Sequence, residues 1–391
     1  MRPKNYCEGS FAINLKEERT MINLHSITLF VISKQLKKPF ATHLETVKDR
    51  EAIIVEVTDA EGRKGYGEVN AFSSPWYTEE TVQTCFHMLR DFFIPMLKTH
   101  SLSHPNDVAP LFDRYKRNHM AKAGLETAIW DLYAKRENCP LYKLLGGTRT
   151  EIPSGVVVGT SSAEEAIRQI EAYLADGYQR VKLKISPGND INLIEPIRTR
   201  FPDLPIMADA NSAYSLHDIP RLKALDEFGL LMIEQPLAFD DIIDHSKLQR
   251  ELKTPICLDE SIVTLSDAKR AIELGSCKVI NIKIGRVGGL KAAKAIHDLA
   301  IESGLEVWAG GMLEFGVSRG HNIALASLPG FTIPGDISAS SRYWDEDIIS
   351  PEVTVKNGYI HVPEGDGIGF AINWDSLKKS LIFQQTFPLT Q

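Results

Sequence analysis

The sequence predicts an α/β protein in which a closed parallel (β/α) barrel carries a smaller α+β unit, and three observations lead there. From residue 152 onward, strand-length apolar runs alternate with helix-compatible segments, at 152–159, 180–185, 205–210, 230–235, 255–259, 278–284, 305–309 and 331–334. Eight such units in regular succession favour a closed barrel over an open doubly wound sheet. Lys184, Asp209, Glu234, Asp259 and Lys283 end or nearly end consecutive runs, at intervals of 25, 25, 25 and 24 residues. Charged groups there are costly unless they share a purpose, and barrel strands converge on one pocket at their C-terminal ends.

The elements follow in order. Residues 1–20 begin MRPK, lack the apolar run of a secretory signal, and read as an extension without assigned function. From Met21, ITLFVIS, AIIVEVTD and GYGEVNAF read as strands, with turn chemistry at Asp59–Gly62. Residues 78–98, 105–117 and 120–135 read as helices, the last with Leu125, Ile129 and Leu132 at helical spacing. These strands and helices form the α+β unit, 21–148. The barrel occupies 149–345, with helices at 162–176, 216–228 and 289–303. IGRVGGL is not a GxGxxG phosphate loop in its strand–turn–helix setting, which removes the dinucleotide-binding alternative. In the tail, 346–391, VTVKNGYIHV carries an Asn357–Gly358 hairpin signal and is expected to return to the first unit.

Composition narrows the class. With 391 residues, 43% hydrophobic and 24% charged, the chain can bury a large core. A net charge of −7, without dense basic runs or aromatic ladders, disfavours nucleic acid as a partner. No apolar stretch reaches membrane-spanning length. Cys7, Cys85, Cys139, Cys257 and Cys277 are odd in number and form no CxxC pair, which reads as a reduced, cytoplasmic protein.

Asp209, Glu234 and Asp259 supply hard oxygen donors from three successive strands, the ligand set that magnesium prefers, with manganese a second candidate. No HExxH or Cys/His spacing supports zinc. Lys182 and Lys184 alternate with Leu183, so both project from one face. Their repulsion and partial desolvation should favour a neutral amine on one of them, suited to general-base work. Lys283 ends the sixth strand, across the ring from the second. A substrate carboxylate gripped by the cation would then have one lysine on each side of its α-carbon; a structural ion pair from Lys283 to Asp259 or Glu260 is the competing role.

These residues resemble the enolase superfamily, in its muconate lactonising branch. The matching residues are the KLK pair, Asp209 with Asn211, Glu234–Gln235–Pro236, Asp259–Glu260–Ser261, and Lys283 with Gly285. GGMLEFG and GDISASSRYWDEDI are similar, more narrowly, to the o-succinylbenzoate synthase and N-acylamino acid racemase family. The resemblance implies a modified (β/α)7β barrel under an N-terminal capping domain. It also implies capping loops at 39–46 and 71–80 whose Phe72, Trp76 and Tyr77 enclose an acyl or aryl group. Arg286 then becomes a group that tunes Lys283, and Glu314 one that orients substrate or supports Lys283. Phe315 stands where the family often has a small residue, which touches the acyl preference. The seventh strand reads Val307–Trp308–Ala309–Gly310 without a histidine base. The eighth has Asp336–Ile337–Ser338 instead of the DxD pair of dipeptide epimerases.

The reading is a magnesium-dependent o-succinylbenzoate synthase of menaquinone synthesis, with N-acylamino acid racemisation as a second or main activity. Muconate-type cycloisomerisation and a noncatalytic metabolite-binding protein are the alternatives. The expected partner is a small carboxylate, and a homo-oligomer is the expected assembly. His321 is assigned to packing.

Overall fold

A computed structural model describes residues 21–42 and 44–389. The extension at 1–20, and His43 within the 39–46 loop, lie outside the described residues. Strands β1 (Leu24–Ala41), β2 (Thr46–Asp59) and β3 (Lys64–Val69) form an antiparallel meander. Ala52–Val55 of β2 form a continuous buried run because this stretch is covered on both faces.

Helix His119–Arg136 lies on β3 and is buried almost all round. Glycine makes that approach possible: a methyl group at Gly67 would sit 2.1 Å from the carbonyl oxygen of Gly124. The helix also delivers Asp131, whose buried carboxylate accepts the N–H groups of Tyr66 and Ile368, each at 2.8 Å, and pairs with Lys135 at 2.6 Å. The helix expected over 78–98 is interrupted. Val82–Met88 passes through a wide π turn, Leu89–Phe93, into Ile94–Leu97, where Pro95 has no N–H to continue the ladder. The helix expected over 105–117 is confined to Pro105–Asp107 and Val108–Phe112.

Seven parallel strands follow, each bonded to the next: Val156–Val158, Val181–Lys184, Ile206–Asp209, Ile233–Glu234, Ile256–Leu258, Val279–Ile282 and Glu306–Ala309. The eighth, expected at 331–334, does not form a continuous strand. Phe331 bridges to Val307 and Gly335 to Ser154, closing the ring through single contacts. Pro329 and Pro334 bracket this segment and cannot donate to a ladder.

The interior is layered. Met207, Met232, Cys257, Val279, Trp308 and Ile333 form a separate apolar floor. Two residues further along three of these strands, on the same face, stand Asp209, Glu234 and Asp259. The period-two rule therefore places an acidic tier directly above an apolar one.

In the tail, the turn at Asn357–Gly358 forms with both residues at positive φ. Its outgoing strand, Tyr359–His361, pairs with Glu151–Pro153 beside the barrel rather than with the capping sheet. The segment that reaches β1 is Leu381–Pro388, antiparallel along its free edge, preceded by helix Trp374–Ser380.

Candidate active site

The pocket at the barrel mouth lies between the capping sheet's loops and the strand ends. Phe40, Phe72, Trp76 and Tyr77 wall one side, Met312, Leu313 and Tyr343 another, and Lys184, Asp209, Asn211 and Lys283 line it as well. Phe72, Trp76 and Tyr77 form one aromatic cluster, with ring centres 4.8 to 6.3 Å apart.

Four cations are interleaved with the acids. Lys184 lies 2.7 Å from Asp209 and donates to Asn211 Oδ1 at 2.6 Å. Lys182, one tier lower, bridges Asp209 at 2.9 Å, Glu234 at 2.6 Å and Asp336 at 3.3 Å. Lys283 lies 2.9 Å from Asp259 and donates to the Tyr77 hydroxyl at 2.8 Å. Arg286 binds the other oxygen of Asp259 and donates to the same hydroxyl at 3.0 Å. Lys184 and Lys283 therefore contact opposite ends of the carboxylate arc, with Glu234 between them.

Burial opposes ionisation throughout, and the charges decide the outcome. Burial disfavours the Asp209 carboxylate, but Lys182 and Lys184 hold its pKa well below the usual range. Asp259 is likewise held low, against burial, by Arg286 and Lys283. Burial first, then the Asp209 charge, pushes Glu234 up. Burial and Asp259 do the same to Glu260. Lys283 remains charged because Asp259 outweighs its desolvation.

The expectation that repulsion neutralises one lysine fails at Lys182. Asp209, Glu234 and Asp336 outweigh its desolvation and raise its pKa well above the ordinary value. Lys182 is a charged cation that also lines the pocket, lying 5.0 Å from the Trp308 ring centre beside Arg180 at 5.2 Å.

The donor set suits a hard divalent cation: three buried carboxylates on adjacent strands. Glu234 Oε2 meets Lys182 as an ion pair but has no aligned hydrogen bond, and Glu260 Oε2 has no partner. Such under-satisfied buried oxygens accommodate a cation readily. Among the described residues, no three acidic, histidine or cysteine side chains already form a closed cage, because the ammonium and guanidinium groups engage their oxygens.

The other expected residues separate into two groups. Asn211 links Lys184 to Glu260, donating to Glu260 Oε1 at 3.1 Å. Gln235 fixes the next loop, accepting the Asp259 N–H at 3.0 Å and donating to Ser261 Oγ at 2.7 Å. Glu314, by contrast, does not line the pocket; it is buried and accepts from Asn322 at 2.9 Å. Phe315 does not line the pocket either, since its ring stacks on Trp344, 4.4 Å between centres. His321 bonds Val317 O and Thr127 O in the core, as its packing assignment requires.

Sequence reasoning missed Asn281, which donates to Glu234 Oε1 at 2.8 Å, and Arg180, which pairs with Asp336 at 2.8 Å. Alternation held the signal. Asn281 shares the face of Lys283, and Arg180 that of Lys182. Phe40, Met312 and Tyr343, which also line the pocket, lie in the 39–46, GGMLEFG and GDISASSRYWDEDI segments, but alternation did not single them out.

An α/β barrel with acids on three successive strand ends, flanked by lysines and closed by a capping sheet, defines an enolase-type site. Residues 165–376 match the family described as enolase C-terminal domain-like, and 26–146 the mandelate racemase / muconate lactonizing enzyme N-terminal domain. The chain belongs to the enolase superfamily, in its muconate lactonizing enzyme-like branch. It is 56% identical to the o-succinylbenzoate synthase of Bacillus subtilis, over 94% of this chain and 99% of that protein. It is 42% identical to an N-succinylamino acid racemase of Thermus thermophilus, over 93% and 99% respectively. A solved enolase superfamily member from Listeria innocua superposes with a TM-score of 0.93 at 41% identity, covering 95% of this chain and all of that one.

Proposed function

We propose that the chain acts as an o-succinylbenzoate synthase, dehydrating 2-succinyl-6-hydroxy-2,4-cyclohexadiene-1-carboxylate, with N-acylamino acid racemisation as a second activity. The observation that carries this reading is the placement of Lys184 and Lys283 at opposite ends of one buried acid arc, facing one pocket. The likeness to named synthases and racemases supports the choice of substrates.

Asp209, Glu234 and Asp259 would hold a divalent ion, magnesium by donor type, which supplies electrostatic stabilisation of negative charge at the substrate carboxylate. Lys184, as the free amine, takes the ring proton from the carbon bearing the carboxylate. The electron pair moves into the ring system and the C–O bond to the hydroxyl breaks. The Lys184 ammonium returns its proton to the departing hydroxide, giving water and an aromatic ring. Lys283 stays protonated and stabilises the enediolate charge through space. The aromatic cluster excludes water.

In racemisation, one lysine removes the α-proton and the other delivers a proton to the opposite face. One site serves both reactions because each starts by forming an enolate. A place in menaquinone synthesis and a cytoplasmic setting follow from the synthase reading. Among the described residues, no helix is long and apolar enough to cross a membrane.

The test is side-by-side turnover of the cyclohexadiene precursor and N-succinyl amino acids, with and without magnesium. Lys184→Ala should lose roughly 10²–10⁴ in synthase kcat, the span of general-base catalysis. Normal turnover by this variant with metal bound would remove the assignment.

A further inference from the structure

The loop after the seventh barrel strand holds Leu313 at φ +58°, a left-handed backbone that a bulky side chain adopts only when its surroundings impose it. Leu313 and its neighbour Met312 line the pocket. The groups that fix this loop come from the capping sheet. Arg50 of β2, fully buried, donates through Nε to Leu313 O at 3.2 Å. Its Nη1 reaches Ala71 O at 2.7 Å and also Glu51 O, and its Nη2 reaches Asn70 O at 2.6 Å.

Just beyond Leu313, the buried carboxylate of Glu68 on β3 accepts the N–H groups of Phe315 at 2.9 Å and Ser318 at 2.8 Å. Arg50 thus holds Leu313 at its own carbonyl, and Glu68 holds the backbone just after it. The Arg50 guanidinium also lies 4.5 Å from the ring centre of Phe72, another wall of the pocket. A buried cation whose partners are backbone carbonyls is expensive. What it supplies here is shared geometry: one rigid guanidinium bonds Leu313 O, Asn70 O and Ala71 O and so fixes two loops from different parts of the chain.

We infer that Arg50, together with Glu68, is a positioning residue for specificity, holding strained Leu313 and the Phe72 ring in one register to form the seat for the substrate's acyl arm. The inference rests on the activity proposed above and names the residues that select its acyl group.

Steady-state kinetics and calorimetric titration with o-succinylbenzoate test it. In Arg50→Met, KM for the precursor and Kd for o-succinylbenzoate rise roughly tenfold or more, while kcat stays within about threefold. Arg50→Lys, which keeps a cation, recovers part of the loss. In a Leu313→Gly background, where positive φ carries no strain, adding Arg50→Met raises Kd less than it does in the native background. Folded Arg50→Met with native KM and Kd, or an equal rise in both backgrounds, overturns the inference. If Arg50→Met does not fold, Glu68→Gln decides: a raised Kd with native circular dichroism supports the inference and an unchanged Kd overturns it. Native protein that binds no o-succinylbenzoate overturns the proposed activity and this inference together, whereas native binding unaffected by the variants overturns the inference alone.

Discussion

Tyr77→Phe separates the two faces of the reaction. The Tyr77 hydroxyl accepts from Lys283 at 2.8 Å and from Arg286 at 3.0 Å, and donates to Asp259 at 3.1 Å. It touches neither Lys184 nor Asn211, which bond each other at 2.6 Å across the arc. Removing it deletes one of the two partners that orient the Lys283 ammonium. A hydrogen bond to a charged group is worth about 1.5–3 kcal/mol, so proton transfer to and from Lys283 should slow by roughly 10- to 150-fold. The aromatic ring and its packing remain. The assay is α-proton exchange in D2O, followed by NMR, starting separately from each enantiomer of an N-succinyl amino acid. One enantiomer should exchange at close to the native rate, through Lys184, and the other at the reduced rate. Equal slowing of both, or no slowing of either, would refute the assignment of Tyr77 to the Lys283 face.

Three further outcomes follow. Glu126 is buried, and burial raises its pKa to about 7 despite the N–H groups of Leu290 and Lys291 that it accepts. The unfolded carboxyl ionises near its ordinary value, so stability is fully present below about pH 4.5 and falls by roughly 3 kcal/mol toward pH 7. Urea titrations of Glu126→Gln should lack that slope, and an unchanged slope would exclude Glu126 as its source. Gly67→Ala places a methyl group 2.1 Å from the Gly124 carbonyl oxygen, so thermal melts should show a loss of at least about 1–3 kcal/mol; a native melting temperature would mean that the helix yields. Chelation should abolish both activities and magnesium should restore them, while full turnover after exhaustive chelation would contradict the metal role of Asp209, Glu234 and Asp259.

Much of the barrel was legible because its repeat is local. Each unit's apolar run states its own period, and the acid two residues past Met207, Met232 or Cys257 needs no distant information to face inward. What escaped depends on partners far apart in sequence. The protonation of Lys182 follows from Asp209 and Glu234, joined by Asp336, 154 residues away, around one ammonium. Phe315 looked like a specificity residue because it stands where the resembling family often has a small residue, but its stacking on Trp344 turns it into the core. The hairpin at Asn357–Gly358 was legible as a turn. Its partner, Glu151–Pro153, overlaps the run read as the first barrel strand, 152–159, of which only Val156–Val158 joins the barrel. The eighth strand failed for a local reason, the bracketing prolines, which the apolar pattern concealed.

Leu381–Pro388 completes the sheet that β1 begins, so the first and last strands of the described chain are neighbours. During synthesis, β1 leaves the ribosome long before the strand that will cover its edge. Until that strand emerges, the nascent chain exposes a bare row of backbone donors and acceptors beside apolar Val31 and Ile32. The sheet that delivers Tyr77 to Lys283 is therefore finished only when translation has nearly ended.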